Sequence, residues 1–157
     1  MIVEREIEER LKAKFAAALG DDAAALRIVG SWDVAAAGEV KGKGDSSPAV
    51  LAVAVGIRSY DSFCSPQADL ACSAVLLVRR DACPTGAALA DLIEPLLDLF
   101  HNWNAEYDAV SDDLTTKCFH PGGFRLDSGS SPEYDEAAAV WTVPFDFTLR
   151  GVIGESE

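Results

Sequence analysis

The sequence predicts an α+β fold: a mainly antiparallel β-sheet with two principal helices packed on one face, in the order α-β-β-β-α-β-β. Three observations carry it. An apolar stripe at helical spacing opens the chain. A second lies between residues 85 and 103, and the last third alternates apolar and polar side chains with the two-residue period of a strand. At 157 residues, one domain spanning 1–157 has enough chain to bury a core.

Val3, Ile7, Leu11 and Phe15 recur every fourth residue, so a helix is expected from Ile2 to Leu19, with Gly20 as its cap. Glu4, Arg5, Glu8, Glu9, Lys12 and Lys14 fall on its other faces. Glu6–Arg10 and Glu8–Lys12 have the favourable i,i+4 order. A short strand follows at Leu26–Trp32. The stretch Glu39–Pro48 is polar and glycine-rich and reads as a loop. Ala49–Ser59 and Asp69–Arg80 alternate as strands around a turn at Tyr60–Pro66. The second is apolar on both faces, so it is placed centrally and covered on both sides.

Leu89, Leu92, Ile93, Leu96, Leu97 and Phe100 form the clearest helical stripe, over Thr85–Trp103. Pro95 lacks an N–H and crowds the preceding turn, which predicts a kink, with Ala87–Pro95 and Leu96–Trp103 as two segments at a slight angle. A strand is expected at Leu114–Arg125, interrupted by a bulge or turn at His120-Pro-Gly-Gly123, and then a turn at Asp127–Pro132. The last strand, Asp135–Val152, sets Ala137, Ala139, Trp141, Val143, Phe145, Phe147 and Leu149 on one face. Thr142, Asp146, Thr148 and Arg150 lie on the other. Pro144 falls on the polar face and argues for an edge, a bulge or a wet side.

Charge excludes whole classes of partner. Lys+Arg is 13 and Asp+Glu is 26, a formal net charge of −13. Nucleic-acid binding needs a basic footprint to release counterions from phosphates, and anionic membranes repel the chain for the same reason. An acidic surface suits a channel through which DNA slides without sticking. No stretch approaches the roughly 20 apolar residues of a bilayer span, and the charged N-terminus lacks a signal-peptide core, so a cytoplasmic chain is expected. Cys64, Cys72, Cys83 and Cys118 then read as reduced thiols, without a CxxC pair.

The residues offer little chemistry. A metal would use Cys118 and His120, with His101 or Cys83. Structural zinc wants two closely spaced ligand pairs, and only Cys-x-His is present. The same pair is the one local thiol and base for nucleophilic catalysis. Asp112, Asp113, Glu133, Asp135 and Glu136 sit in hydrophilic stretches where nothing raises a carboxyl pKa. Lys41-Gly-Lys-Gly44 is no phosphate loop. No catalytic, cofactor-binding or metal residue is assigned. Trp103 and Tyr107, at a helix end, are either interface anchors or a cap on the core.

The element order, and a closing strand reading Val140-Trp-Thr-Val-Pro-Phe-Asp-Phe-Thr-Leu-Arg-Gly151, resemble the tail-terminator (tail-completion) proteins of tailed bacteriophages and prophages. The resemblance covers most of the chain by length, order and patterning. It implies a non-enzymatic protein without active site or cofactor, forming a ring, commonly of six copies, that caps the tail tube and meets the head–tail connector. Sheet edges and loops would then make the subunit contacts, and acidic residues would line the channel. Other readings stand beside it: a head–tail connector or neck protein, a small acidic binding or inhibitor module, or a cytoplasmic enzyme using Cys118 and His120.

Overall fold

The computed structural model describes residues 2–19, 26–32, 49–129 and 131–154, the side chains of 128 and 129 excepted. The expected loop at 39–48 and the cap at Gly20 lie outside these residues. The elements are α1 (Val3–Leu19), β1 (Leu26–Gly30), β2 (Ala49–Val55), β3 (Gln67–Arg79), α2 (Gly86–Ala105), α3 (Tyr107–Leu114), β4 (Phe119–Gly129), β5 (Glu133–Asp135) and β6 (Val140–Ile153). The sheet runs β1-β2-β3-β6-β4, with β5 also pairing β6. Among the described strands only β1–β2 is parallel and the other pairs are antiparallel. The α+β class therefore holds. The short α3 and β5 are additions to the expected order.

All three helices bury their apolar stripes in one core against one face of the sheet. That face carries Leu51, Val53, Leu70, Leu76, Val143 and Phe147, as strand alternation requires. Phe100 of α2 is the hub. Its ring centroid lies 5.8 Å from Phe15, 5.8 Å from Phe124, 5.4 Å from Phe145 and 5.6 Å from Phe147. Contacts of this kind add to the burial energy of each ring. Trp103 is buried beside them and donates its indole N–H to Asp113 at 2.8 Å, so it belongs to the core.

Several expectations are corrected. β3 is central, and the described helices cover one side of the sheet; on the other side Val29 and Val50 are buried with Ala52 packed against them, in a second, smaller cluster beside Val75 and Leu77. α2 runs from Gly86 to Ala105 as one helical element with Pro95 inside it; Leu89 before the proline and Leu96, Phe100 and Trp103 after it are buried. Leu114 ends α3 instead of opening β4. That helix carries only Val110 and Leu114 as its buried pair, too short a stripe to read. Asp127–Gly129 continues β4 instead of turning. The long strand begins at Val140, because Ala137 and Ala139 lie in a turn. Asp135 accepts there from the N–H groups of Ala137 and Ala138, and Ala139 sits at φ 54.

Pro144 lies in a central strand. Arg80 N–H donates to Ala139 C=O, and the alternation of an antiparallel ladder then turns the Pro144 nitrogen away from β3. On the other edge Pro144 falls between Thr142, where pairing to β5 ends, and Phe145, where pairing to β4 begins. Its missing donor breaks no bond. The bulge expected at His120–Gly123 is present, as a register shift between Pro121 and Gly123. Opposite it, a Cβ on Gly151 would stand 2.5 Å from the His120 carbonyl and 2.6 Å from the Phe119 ring, so bare backbone is needed there.

The charged faces of α1 also differ from expectation. Glu4 and Glu8 are both buried. Glu8 accepts from Ser31 N–H (2.9 Å), Ser31 Oγ (2.6 Å) and Trp32 N–H (2.9 Å). Gly30 leaves the room: a Cβ there would lie 2.3 Å from the Glu8 carboxylate. Neither i,i+4 pair forms; Lys12 meets Glu9 instead, at 2.9 Å. Glu8→Ala strands three donors and is expected to lower unfolding free energy in urea by about 2–4 kcal/mol. Glu9→Ala, at a neighbouring exposed position, is expected to stay within about 0.5 kcal/mol.

Candidate interaction surface

The candidates for chemistry are dispersed. Cys83 and Cys118 belong to the core, whereas His101 and His120 are exposed. Cys118 precedes β4, so the strand alternation expected to align it with His120 does not include it. Among the described residues no group of three or more His, Cys, Asp or Glu is placed to hold a metal ion. Burial pushes the Cys72 thiol up to about 12, and neighbouring charges on Glu8 and Asp127 add to it. Asp113 is occupied by Trp103 and by Lys14 at 3.1 Å, and Asp135 holds its turn. Among the described residues no helix is long and apolar enough to cross a membrane.

What the structure does assemble is a braced, exposed apolar loop. Residues 56–66 join β2 to β3. They present Ile57 at 65%, Tyr60 at 50% and Phe63 at 99% exposure. A large ring kept wholly in water is unfavourable unless something covers it. The loop is nevertheless held from both sides. On one side Arg58 grips the buried Glu4 as a fork, Nε to Oε1 at 2.6 Å and Nη2 to Oε2 at 2.9 Å, while its N–H adds a third bond at 3.1 Å. On the other, Arg150 of β6 bonds Asp69 at 2.7 and 2.9 Å and also reaches Asp61. Ser59 and Asp69 exchange backbone bonds at 3.0 and 2.9 Å. Next to Phe63, Cys64 takes φ 57, a left-handed conformation that is costly for a residue with a Cβ.

At the far end of β3 lies an open cavity of about 530 Å³, lined by Arg79, Arg80, Asp81, Pro84, Ala138 and Ala139. Arg79 pairs with Asp81 at 3.2 Å. Ala139, at φ 54, forms part of its wall. Between the two ends, the face of the sheet opposite the described helices is apolar along Val50, which is buried, and along Ala52, Val75 and Leu77, which are half-buried. It turns polar toward β4, where Asp127 bonds Arg125 (2.6 Å) and Thr148 (2.5 Å). The hydroxyl of Thr148 and then the Arg125 guanidinium hold the Asp127 carboxyl below its ordinary range; Arg150 does the same for Asp69.

The sequence offered weak signals for this surface. Tyr60 and Phe63 fell in a predicted turn, where an aromatic has no core to enter. The Arg79-Arg80 pair stood at a strand end in an acidic chain.

No family model matches the sequence, and no curated protein matches it. Among solved structures, it is similar to a chain described as "Virion of native gene transfer agent (GTA) particle". The TM-score is 0.51 at 14% identity, over 93% of this chain and 91% of that one. The two share a fold over nearly their whole lengths.

The brace has a pH signature. Burial raises the Glu4 carboxyl, but the Arg58 hydrogen bonds and charge outweigh it and leave the pKa below the ordinary value. A folded pKa below the unfolded one means that the pair's stabilisation is complete above the carboxylate range. It is lost as pH falls through the folded value. Glu4→Gln is therefore expected to lower Tm near pH 7 and to flatten its decline on acidification, measured by calorimetry from pH 7 to pH 3.

Proposed function

We propose that the chain is a non-enzymatic structural component of a tailed-phage-like particle, of the tail-terminator or tail-completion kind, which assembles as a ring of identical copies at the end of the tail tube. The observation that carries this is the fold shared end to end with a chain of the gene transfer agent virion. The closing strand, Val140 to Gly151, supports the finer reading through its resemblance to tail terminators. The exposed, braced loop supports it further, because a lone chain gains nothing from holding Phe63 in water.

In this reading the partners are further copies of the chain, the tail tube below and the head–tail connector above. The net charge of −13 suits an assembly around a passage for DNA. Carboxylates facing a duplex repel its phosphates, so the duplex slides without the counterion release that would make it stick. Neither a membrane nor a nucleic acid is a binding partner, and no metal or cofactor is needed.

The test is a deletion in the host that makes the particle. Purified wild-type particles are expected to contain the chain by mass spectrometry. Deletion is expected to leave filled heads separated from tails whose tubes lack a defined end, as seen by electron microscopy. Heads that lose their DNA would favour the connector reading instead. Normal particles lacking the chain would overturn the proposal.

A further inference from the structure

We infer that the Phe63 loop of one copy docks into the Arg79–Ala139 cavity of the next, joining copies head to tail. The inference deepens the ring reading above and rests on it for the identity of the partner. It starts from position. Phe63 lies just before β3 begins, and the cavity lies just after it ends. Thirteen residues of β3 separate the two by about 40 Å, at roughly 3.3 Å per residue. A copy cannot fill its own cavity, but each can give a plug and receive one. Contacts of that heterologous kind repeat from copy to copy and close into a ring when the rotation permits.

The chemistry of the two ends is complementary. The loop offers an aromatic face and edge; the cavity lining combines Pro84 and two alanines with two arginines and Asp81. A guanidinium over an aromatic ring is attracted by the ring's quadrupole, more so once water is excluded. The charges mirror each other. Around the loop are two carboxylates and one guanidinium, Asp61, Asp69 and Arg150, for a net −1. Around the cavity are two guanidiniums and one carboxylate, Arg79, Arg80 and Asp81, for a net +1. Arg80 has no acidic partner among the described residues, so it is available to an incoming loop.

The backbone carries an independent sign. Among the described residues, two that are not glycine have positive φ, Cys64 and Ala139. One adjoins the plug and the other lines the socket. Such conformations are costly and persist where the surroundings impose them, which is characteristic of contact and ligand sites. The bracing by Glu4–Arg58 and Asp69–Arg150 means that little conformational entropy remains to be lost when the loop docks.

Cys64 is exposed, whereas Cys72, Cys83 and Cys118 are buried, so the plug already carries a chemical handle. Ala138 is an exposed wall residue of the socket. The full-length Ala138→Cys protein, treated at high concentration with a short bis-maleimide, is expected to give dimers, trimers and longer ladders. Peptide mapping should find Cys64 joined to the introduced thiol. Phe63→Asp on that background is expected to reduce this product about tenfold or more, the loss typical of a central aromatic anchor. Products joined only Cys64 to Cys64, ladders unaffected by Phe63→Asp, or no joined product would each overturn the contact. The outcome is separable from the virion role. Particles that contain the Phe63→Asp chain at the wild-type level would remove the contact and leave that role standing. Cross-linked ladders from a chain absent from particles would do the reverse.

Discussion

The arrangement of the molecule depends on two carboxylates buried along one side of α1. An ionised carboxylate is expensive to bury unless its oxygens are fully occupied, and here both are. Glu8 takes three donors from Ser31 and Trp32, which fixes the end of β1 beneath the helix. One turn earlier, Glu4 takes three from Arg58, which fixes the exit from β2. Helix and sheet are thereby registered at two points by bonds that have direction, whereas the apolar stripe of Val3, Ile7, Leu11 and Phe15 supplies adhesion with little preference for register. The loop that follows Arg58 inherits that fixed starting point, and so Phe63 is presented at a defined place.

The second constraint is that the described helices all pack on one face of the sheet. Core side chains project from one face of every long strand toward the Phe100 hub. The opposite face must tolerate water along Ser73, Thr148 and Arg150, yet it keeps Val75 and Leu77 half-buried. The same asymmetry gives Arg150 and Arg125 room to form ion pairs across strands. These pairs are exposed and contribute little to stability, but they hold the ends of β3, β4 and β6 in a fixed relation.

Much of this fold was legible in the sequence because periodicity is a local property. The stripes of α1 and α2, the alternation of β3 and β6, and the bulge at His120–Gly123 follow from residues a few positions apart. What was missed depends on distant partners or on chain direction. The burial of Glu4 and Glu8 is not legible in the helix itself, because their donors lie 54 and 23 or 24 residues away. Pro144 read as a sign of an edge, a bulge or a wet side, and the choice was left open because the gap between β4 and β5 that accommodates it is a feature of three strands together. Ala137 and Ala139 continued an apolar alternation by type, and only the left-handed backbone at Ala139 converts that run into a turn. The interaction surface was hardest to see, since an exposed Phe and a core Phe are the same letter.

Charge shows why the inferred contact takes the form it does. Copies carrying −13 repel one another, and the repulsion accumulates with each copy added. Salt screens exposed charges beyond a Debye length of about 8 Å at physiological ionic strength, so the repulsion that matters is between groups near the contact. The two ends of β3 relieve that local repulsion. Arg58 and Arg150 largely neutralise the acids around the plug, and Arg79 with Arg80 leaves the socket net positive. The remaining acidic surface can stay unpaired, which discourages association anywhere except at these ends. The inferred contact therefore falls where cations stand close to the ends of β3. In this molecule Arg58, Arg79, Arg80 and Arg150 are concentrated at the two ends of one strand.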